Sequence, residues 1–246
     1  MADDMPLVSI VIPARNEEKY LPLGLAAIAA ARARVDFPVE VIVADNASTD
    51  GTAALARAWG AHVVAEPVRC IARVRNTGAA AARGEYLLTV DADSRMHPDT
   101  LRRAVALMRS GTVVGLSPDI VLDEQTVMTR LATVLLHVSV HHLLRLGGGI
   151  YFLRRADFTA LGGFNETLYA GEDLDFCRRL KRLGRQRGER YLHCLRDIPL
   201  TTSARKFSRI RPARYLALLP QLLRSPRHAL QIKRHWDFYF YDDRLR

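Results

Sequence analysis

Cysteine is scarce in this 246-residue chain, and the three present, Cys70, Cys177 and Cys194, are odd in number and far apart. That excludes a disulfide framework and a Cys-x-x-Cys metal pair, and it fits a reducing cytosol. Glycine-rich phosphate loops are missing too. No Gly-x-Gly-x-x-Gly follows the first predicted strand and no Gly-x-x-x-x-Gly-Lys-Ser/Thr occurs anywhere, which disfavours a dinucleotide fold and a P-loop ATPase. Long hydrophobic runs are absent. The most apolar stretch, Leu131 to Leu146, is broken by His137, His141, His142 and Arg145, and its 16 residues are short for a membrane span. It reads as a helix covering a sheet or facing an acceptor. His137 and His141 sit at i, i+4, but the Glu of His-Glu-x-x-His is missing, so they read as surface or packing residues rather than metal ligands. The opening Met1-Ala-Asp-Asp-Met-Pro6 is acidic and short and does not read as a signal peptide. There is no internal repeat, low-complexity tract or linker.

What is present is a strand–helix alternation. With 49% hydrophobic residues the chain can bury a sizeable core, and its length is ordinary for one α/β domain. Leu7 to Ile12 is a first strand, expected to close at Pro13, which cannot continue a ladder. A helix follows to about Arg34. Val39 to Ala44 is a second strand ending on Asp45, and Asn46 to Gly51 is a cluster of turn and capping residues before a helix over 52–59. Ala61 to Ala65 is a third strand, Arg69 to Ala82 a helix, and Tyr86 to Val90 a buried fourth strand. The βαβαβαβ order predicts a mostly parallel sheet with right-handed crossovers.

Carboxylates mark the strand ends. Asp91 and Asp93 follow the fourth strand directly, where each needs a charged or hydrogen-bonded partner. Ligands of open α/β sheets bind outside the carboxyl ends of the strands. Paired oxygen donors there suit Mg²⁺ or Mn²⁺ gripping substrate phosphates, while an Asp capping the next helix is the plain alternative. Beyond Pro98 come a helix to about Ser110, a strand over Thr112 to Leu116, a Gly147-Gly-Gly149 break, a strand over Ile150 to Leu153 and a second break at Gly162-Gly163. Gly171-Glu-Asp-Leu-Asp175 opens another helix. Its first-turn acids either favour the helix dipole or include a general base.

Charge is unevenly placed. The net is +10, but residues 178–246 hold 19 Lys/Arg against 5 Asp/Glu. Such a basic third points to an anionic partner: phosphorylated substrate, acidic lipid or nucleic acid. In the tail, basic residues alternate with aromatic ones, as in Lys233-Arg-His-Trp-Asp-Phe-Tyr-Phe-Tyr241. That pattern suits an anionic membrane interface, a segment folded back on the domain, or an oligomer contact.

The ordered series Ser9-Ile-Val-Ile-Pro-Ala-Arg-Asn-Glu-Glu18, Ala44-Asp-Asn-Ala-Ser-Thr-Asp-Gly-Thr52, Arg75-Asn-Thr-Gly78 with Ala82-Arg-Gly-Glu-Tyr86, Val90-Asp-Ala-Asp93, Gly162-Gly-Phe-Asn-Glu166 and Gly171-Glu-Asp-Leu-Asp175 resembles the family 2 glycosyltransferases of GT-A fold, from Ser9 to about Arg205. The ending Thr202-Ser-Ala-Arg205 resembles a bacterial subgroup finishing in Thr-Ser-x-Arg. The resemblance implies an α/β GT-A domain over 1–206, with a nucleotide-binding half (1–95) and an acceptor and catalytic half (96–206), followed by a basic aromatic extension over 207–246. It implies an inverting transfer from a nucleotide-diphosphate sugar to an acceptor hydroxyl, lipid-linked or polysaccharide, with Mn²⁺ or Mg²⁺. Pro13, Ala14, Arg15, Glu17 and Asp45 would hold base and ribose, with Arg69 or Arg75 and Asn76 near the nucleotide. Asp93, helped by Asp91 across Ala92, would bind the metal, Arg205 would contact the diphosphate, and Asp173 would be the base. The late His that many relatives carry as a metal ligand is replaced by Thr202-Ser203, and His193 lies earlier. The expected location is cytoplasmic, at the inner face of the membrane. A nucleotidyltransferase is the competing enzyme class, but Pro13-Ala-Arg-Asn16 has no Gly for its loop. A basic nucleic-acid-binding protein would leave the strand-end carboxylates unexplained.

Overall fold

The computed structural model describes residues 5–123, 151–205 and 231. The expected helix over 131–146, the Gly147–Gly149 break and the 207–246 extension, save Gln231, lie outside them.

Alternating burial builds the first half. In β1 (Val8–Ala14), Val8, Ile10 and Ile12 point to one core cluster and Val11 to another, so both faces of the strand are covered. β1 pairs in parallel with β2 (Val39–Asp45) and β4 (Tyr86–Thr89), and β2 with β3 (His62–Ala65). On one face α1 (Leu21–Arg32) and α4 (Thr100–Arg109) bury Leu25, Ile28, Leu101 and Val105. The opposite face carries α3 (Ile71–Ala80), α5 (Arg155–Ala160) and α6 (Glu172–Arg187), with Phe158, Phe176 and Leu180 inside. α2 (Thr52–Trp59) sends Ala56 to the first cluster.

The eight described strands form one sheet in the order β3-β2-β1-β4-β7-β6-β8-β5. Its second half is mixed. β7 (Phe152–Arg154) runs antiparallel between β4 and β6 (Val113–Leu122), and β6 pairs in parallel with β8 (Arg190–Thr202). β5 (Ser94–Met96), directly after the Asp91–Asp93 pair, runs antiparallel to the end of β8. That last pairing sets Ser94 opposite Thr202 and so brings the chain around Asp93 beside residues 202–205.

Pro13 does not close the first strand as its chemistry suggested; β1 continues to Ala14. The reason lies in alternation. Val90 N–H donates to the Val11 carbonyl and Asn46 N–H to the Ala14 carbonyl, so odd positions face β4 and even ones face β2. Pro13 therefore turns its missing N–H toward the β4 side, where the paired residues have already ended at Thr89. Among the described residues no helix is long and apolar enough to cross a membrane.

Candidate active site

The loops after β1 and β2 are stitched into one platform. Arg15 Nη1 donates to the Asn46 and Ala47 carbonyls (2.9 and 3.0 Å), Asn16 N–H donates to Ser48 Oγ (3.0 Å), and Asn16 Oδ1 accepts from Thr49 N–H (2.8 Å). Asn16 and Ala47 both adopt φ of 51°, a conformation few L-residues take outside such turns. Asn46 Nδ2 reaches the Glu66 and Val68 carbonyls. Asp45 sits on this platform with Oδ2 accepting from Ser48 N–H at 3.3 Å, while its Oδ1 is buried with no hydrogen-bond partner among the described residues. A buried carboxylate oxygen left so is costly unless something donates to it.

Two arginines organise the acidic residues. Arg205, 4% exposed, donates from Nη2 to both Glu17 oxygens (2.6 and 2.7 Å) and to Asp93 Oδ2 (3.0 Å), and its guanidinium lies 4.1 Å from the Tyr20 ring centroid. Burial alone would lower its pKa, but Glu17 and Asp93 outweigh that and hold it above its ordinary value. Thr202 Oγ donates weakly to Asp93 Oδ1 at 3.5 Å and accepts from Ser94 Oγ at 2.9 Å. Arg75, buried on α3, donates to Asp91 Oδ1 (2.9 Å) and to Glu172 Oε1 (2.6 Å).

α6 begins at Gly171, whose φ of 72° favours glycine. Its first residue, Glu172, is buried. Burial, and then the neighbouring Asp173 charge, push the Glu172 carboxyl up to about 7 against the pull of Arg75. Asp173 is half-buried, with Oδ1 accepting from Leu174 N–H (2.7 Å). The buried Tyr151 hydroxyl donates to the Asp173 carbonyl at 2.7 Å. Asp175 pairs with Arg179 at 2.8 Å.

The structure thus brings Glu17, Asp91, Asp93 and Arg205 to the carboxyl edge of β1 and β4, with Asp45 at the end of the adjoining β2. Three expected donor contacts also have partners within the chain. Arg15 holds the platform, Glu17 holds Arg205, and Asn76 clips the Gly162–Glu166 loop by exchanging hydrogen bonds with the Phe164 main chain (2.9 Å each) and donating to Glu166 Oε1. Arg69 is exposed and has no ion-pair partner among the described residues. Pro13, Ala14 and Ala92 are buried backbone supports. Sequence reading missed Tyr20 and Tyr151. Tyr20 lies three residues after Glu17, a spacing that alone would have put it near whatever Glu17 holds. Tyr151 carried no such signal.

No group of three or more His, Cys, Asp or Glu forms a ready-made metal cage among the described residues. Asp91 and Asp93 still fit Mg²⁺ or Mn²⁺, which takes one or two carboxylates and completes its shell with water and phosphate oxygens. Asp91 is well placed for this, its side chain 40% exposed.

The chain resembles known proteins at both levels. It is 38% identical over 104 residues to an uncharacterized glycosyltransferase of Mycobacterium bovis, covering 42% of this chain and 44% of that one. It is 36% identical over 121 residues to the undecaprenyl-phosphate 4-deoxy-4-formamido-L-arabinose transferase of Aeromonas hydrophila, covering 46% and 37%. The chain therefore spans less than half the length of these relatives. Among solved structures, the mannosyltransferase PcManGT of Pyrobaculum calidifontis, bound to GDP-Man and Mn²⁺, superposes with a TM-score of 0.61 at 23% identity, covering 97% of this chain and 71% of that one. The fold is the expected GT-A fold, its central sheet flanked by helices. Residues 9–159 match the family described as Glycosyl transferase family 2, and the chain belongs to that family.

Proposed function

We propose that this chain is an inverting, metal-dependent glycosyltransferase that moves a sugar from a nucleotide-diphosphate sugar to an acceptor hydroxyl. The observation that carries this reading is the buried Asp45 Oδ1, without a hydrogen-bond partner among the described residues, beside the sheet edge that bears Asp91 and Asp93. A nucleoside lying across the strand ends would offer a base N–H to Asp45 while its diphosphate reaches the acidic pair. Asp93 and Asp91 would hold Mn²⁺ or Mg²⁺, and the bound ion supplies charge neutralisation for a diphosphate leaving group. Arg205 adds a fixed cation beside Asp93. Asp173, at the start of α6, takes the proton from the acceptor hydroxyl, so that a single displacement inverts the anomeric carbon. Two features support a lipid-linked acceptor at the inner face of a membrane. One is the basic, aromatic C-terminal extension. The other is the Aeromonas relative, whose name pairs undecaprenyl phosphate with a sugar.

A thermal-shift screen of UDP- and GDP-sugars, with and without Mn²⁺, tests the reading. A donor at a hundred times its Kd should stabilise the fold by about 2.7 kcal/mol. Mn²⁺-independent binding would remove the metal from the proposal. The absence of a shift with every nucleotide sugar would overturn it.

A further inference from the structure

Arg75 is the only described side chain that bonds both the acidic pair after β4 and the start of α6. Its guanidinium, 6% exposed, sends Nη2 to Asp91 and Nη1 to Glu172, partners 16 and 97 residues away in sequence. The Phe164 ring, 5.5 Å from its Cζ, packs against it from the loop that Asn76 clips. Glu172 adjoins Asp173, whose carbonyl is held from behind by Tyr151. A planar, permanently charged fork can serve two carboxylates on separate arms, and its geometry fixes the distance between them.

We propose that Arg75 is a positioning residue that makes the start of α6 respond to occupancy of the Asp91–Asp93 site, rather than a nucleotide contact. The inference rests on the donor-site reading above. Asp91 is shared between the guanidinium and whatever cation or phosphate enters beside it. Any ligand that draws on Asp91 changes the charge left on Arg75 for Glu172, and so the hold on the residue adjoining Asp173. Arg75 and Glu172 are both buried, so little solvent screens that arm, while the more exposed Asp91 is the arm open to a ligand. The shared fork also means that neither carboxylate can be released without leaving the other arm's partner to compensate.

Hydrogen exchange on the full chain reads this directly. UDP and GDP, each with Mn²⁺, are the probes. In the wild type, saturating Mn²⁺–nucleotide should slow exchange at the Leu174 and Asp175 amides at least about threefold, together with the amides of the Asp45 loop. Arg75→Lys keeps the charge but only as a point donor. At saturating nucleotide it should retain protection of the Asp45 loop and lose the response at Leu174 and Asp175. Should Arg75→Lys fail to fold, Glu172→Gln carries the same test, because it leaves the Arg75–Asp91 bond intact and removes the charge on the other arm. It too should lose the α6 response. A merely structural Arg75 would lower the melting temperature yet leave the response in place. Persistence of that response in the variants, or wild-type α6 amides indifferent to bound nucleotide, overturns the tie alone. A wild type showing no protection and no binding with either nucleotide overturns the donor-site reading and the tie with it.

Discussion

A carboxylate that holds structure and one that moves a proton fail differently when the charge is removed. Asp173→Asn keeps an oxygen for the Leu174 N–H, so its melting temperature should stay near wild type while kcat falls by at least ~10²-fold, the usual scale for losing a base. Asp175→Asn should do the reverse. It loses one partly exposed ion pair, worth about 0.5 kcal/mol, and leaves turnover nearly unchanged. A dead Glu172→Gln beside an active Asp173→Asn would move the base to its neighbour. Asp93→Asn should keep the fold and abolish Mn²⁺-dependent donor binding, measured by calorimetry with and without EDTA. Glu172 also writes a pH dependence into the fold. With its carboxyl pushed up to about 7, the folded state binds more protons than the unfolded state between the ordinary Glu range and neutrality. Stability from this group is therefore full at acid pH and declines as pH rises through that window. Melting curves from pH 4.5 to 8 should show the decline in wild type and a flatter profile in Glu172→Gln.

Helix α3 lies close on the sheet because Gly78 has no side chain. A Cβ there would stand 2.4 Å from Val11 Cγ1 and 3.3 Å from Ala44 Cβ, both on buried strands that cannot yield. Gly78→Ala should cost about 1–3 kcal/mol, read by chemical denaturation, and Gly78→Ala with Val11→Ala should recover part of it. The need for this glycine is geometric, and sequence alone showed only that it followed Arg75-Asn-Thr. Other elements were plain from the chain. β1, β2 and β4 are mostly apolar because both faces are covered, and the acids Asp45 at the end of β2 and Asp91 just after β4 stand out for the same reason. β8 was hidden. Its 13 residues include exposed Arg196 and Asp197 and a proline, and it meets β6 through register shifts, so no two-residue period survives. The six-residue α5 is too short to show a period at all. Of the site, Asp45, Asp91, Asp93 and Asp173 were legible as acids at element ends. The work of Arg75, Arg205 and Asn76 was not, because each is defined by partners many residues distant, which composition and periodicity do not report.

The whole molecule divides its charge between a mildly acidic body and a basic C-terminal third. If the extension anchors the enzyme, the full chain should co-sediment with anionic vesicles and come off as salt rises. Removing residues 207–246 should end co-sedimentation and leave Mn²⁺–nucleotide binding intact. Equal sedimentation with neutral vesicles would assign the tail to another role. The closure of Arg205 over Glu17 and Asp93 has a meaning in time as well as in space. The first of these residues leaves the ribosome 188 positions before the last. Until Thr202 emerges β5 lacks the end of β8 on which to settle, and until Arg205 emerges Glu17 and Asp93 are like charges without the guanidinium they share. A chain cut short before residue 205 keeps the residues of β1, β2 and β4 but lacks the cation that Glu17 and Asp93 share. Synthesis thus fixes an order for this part of the fold: the two carboxylates come first, and the cation that joins them comes last of the three.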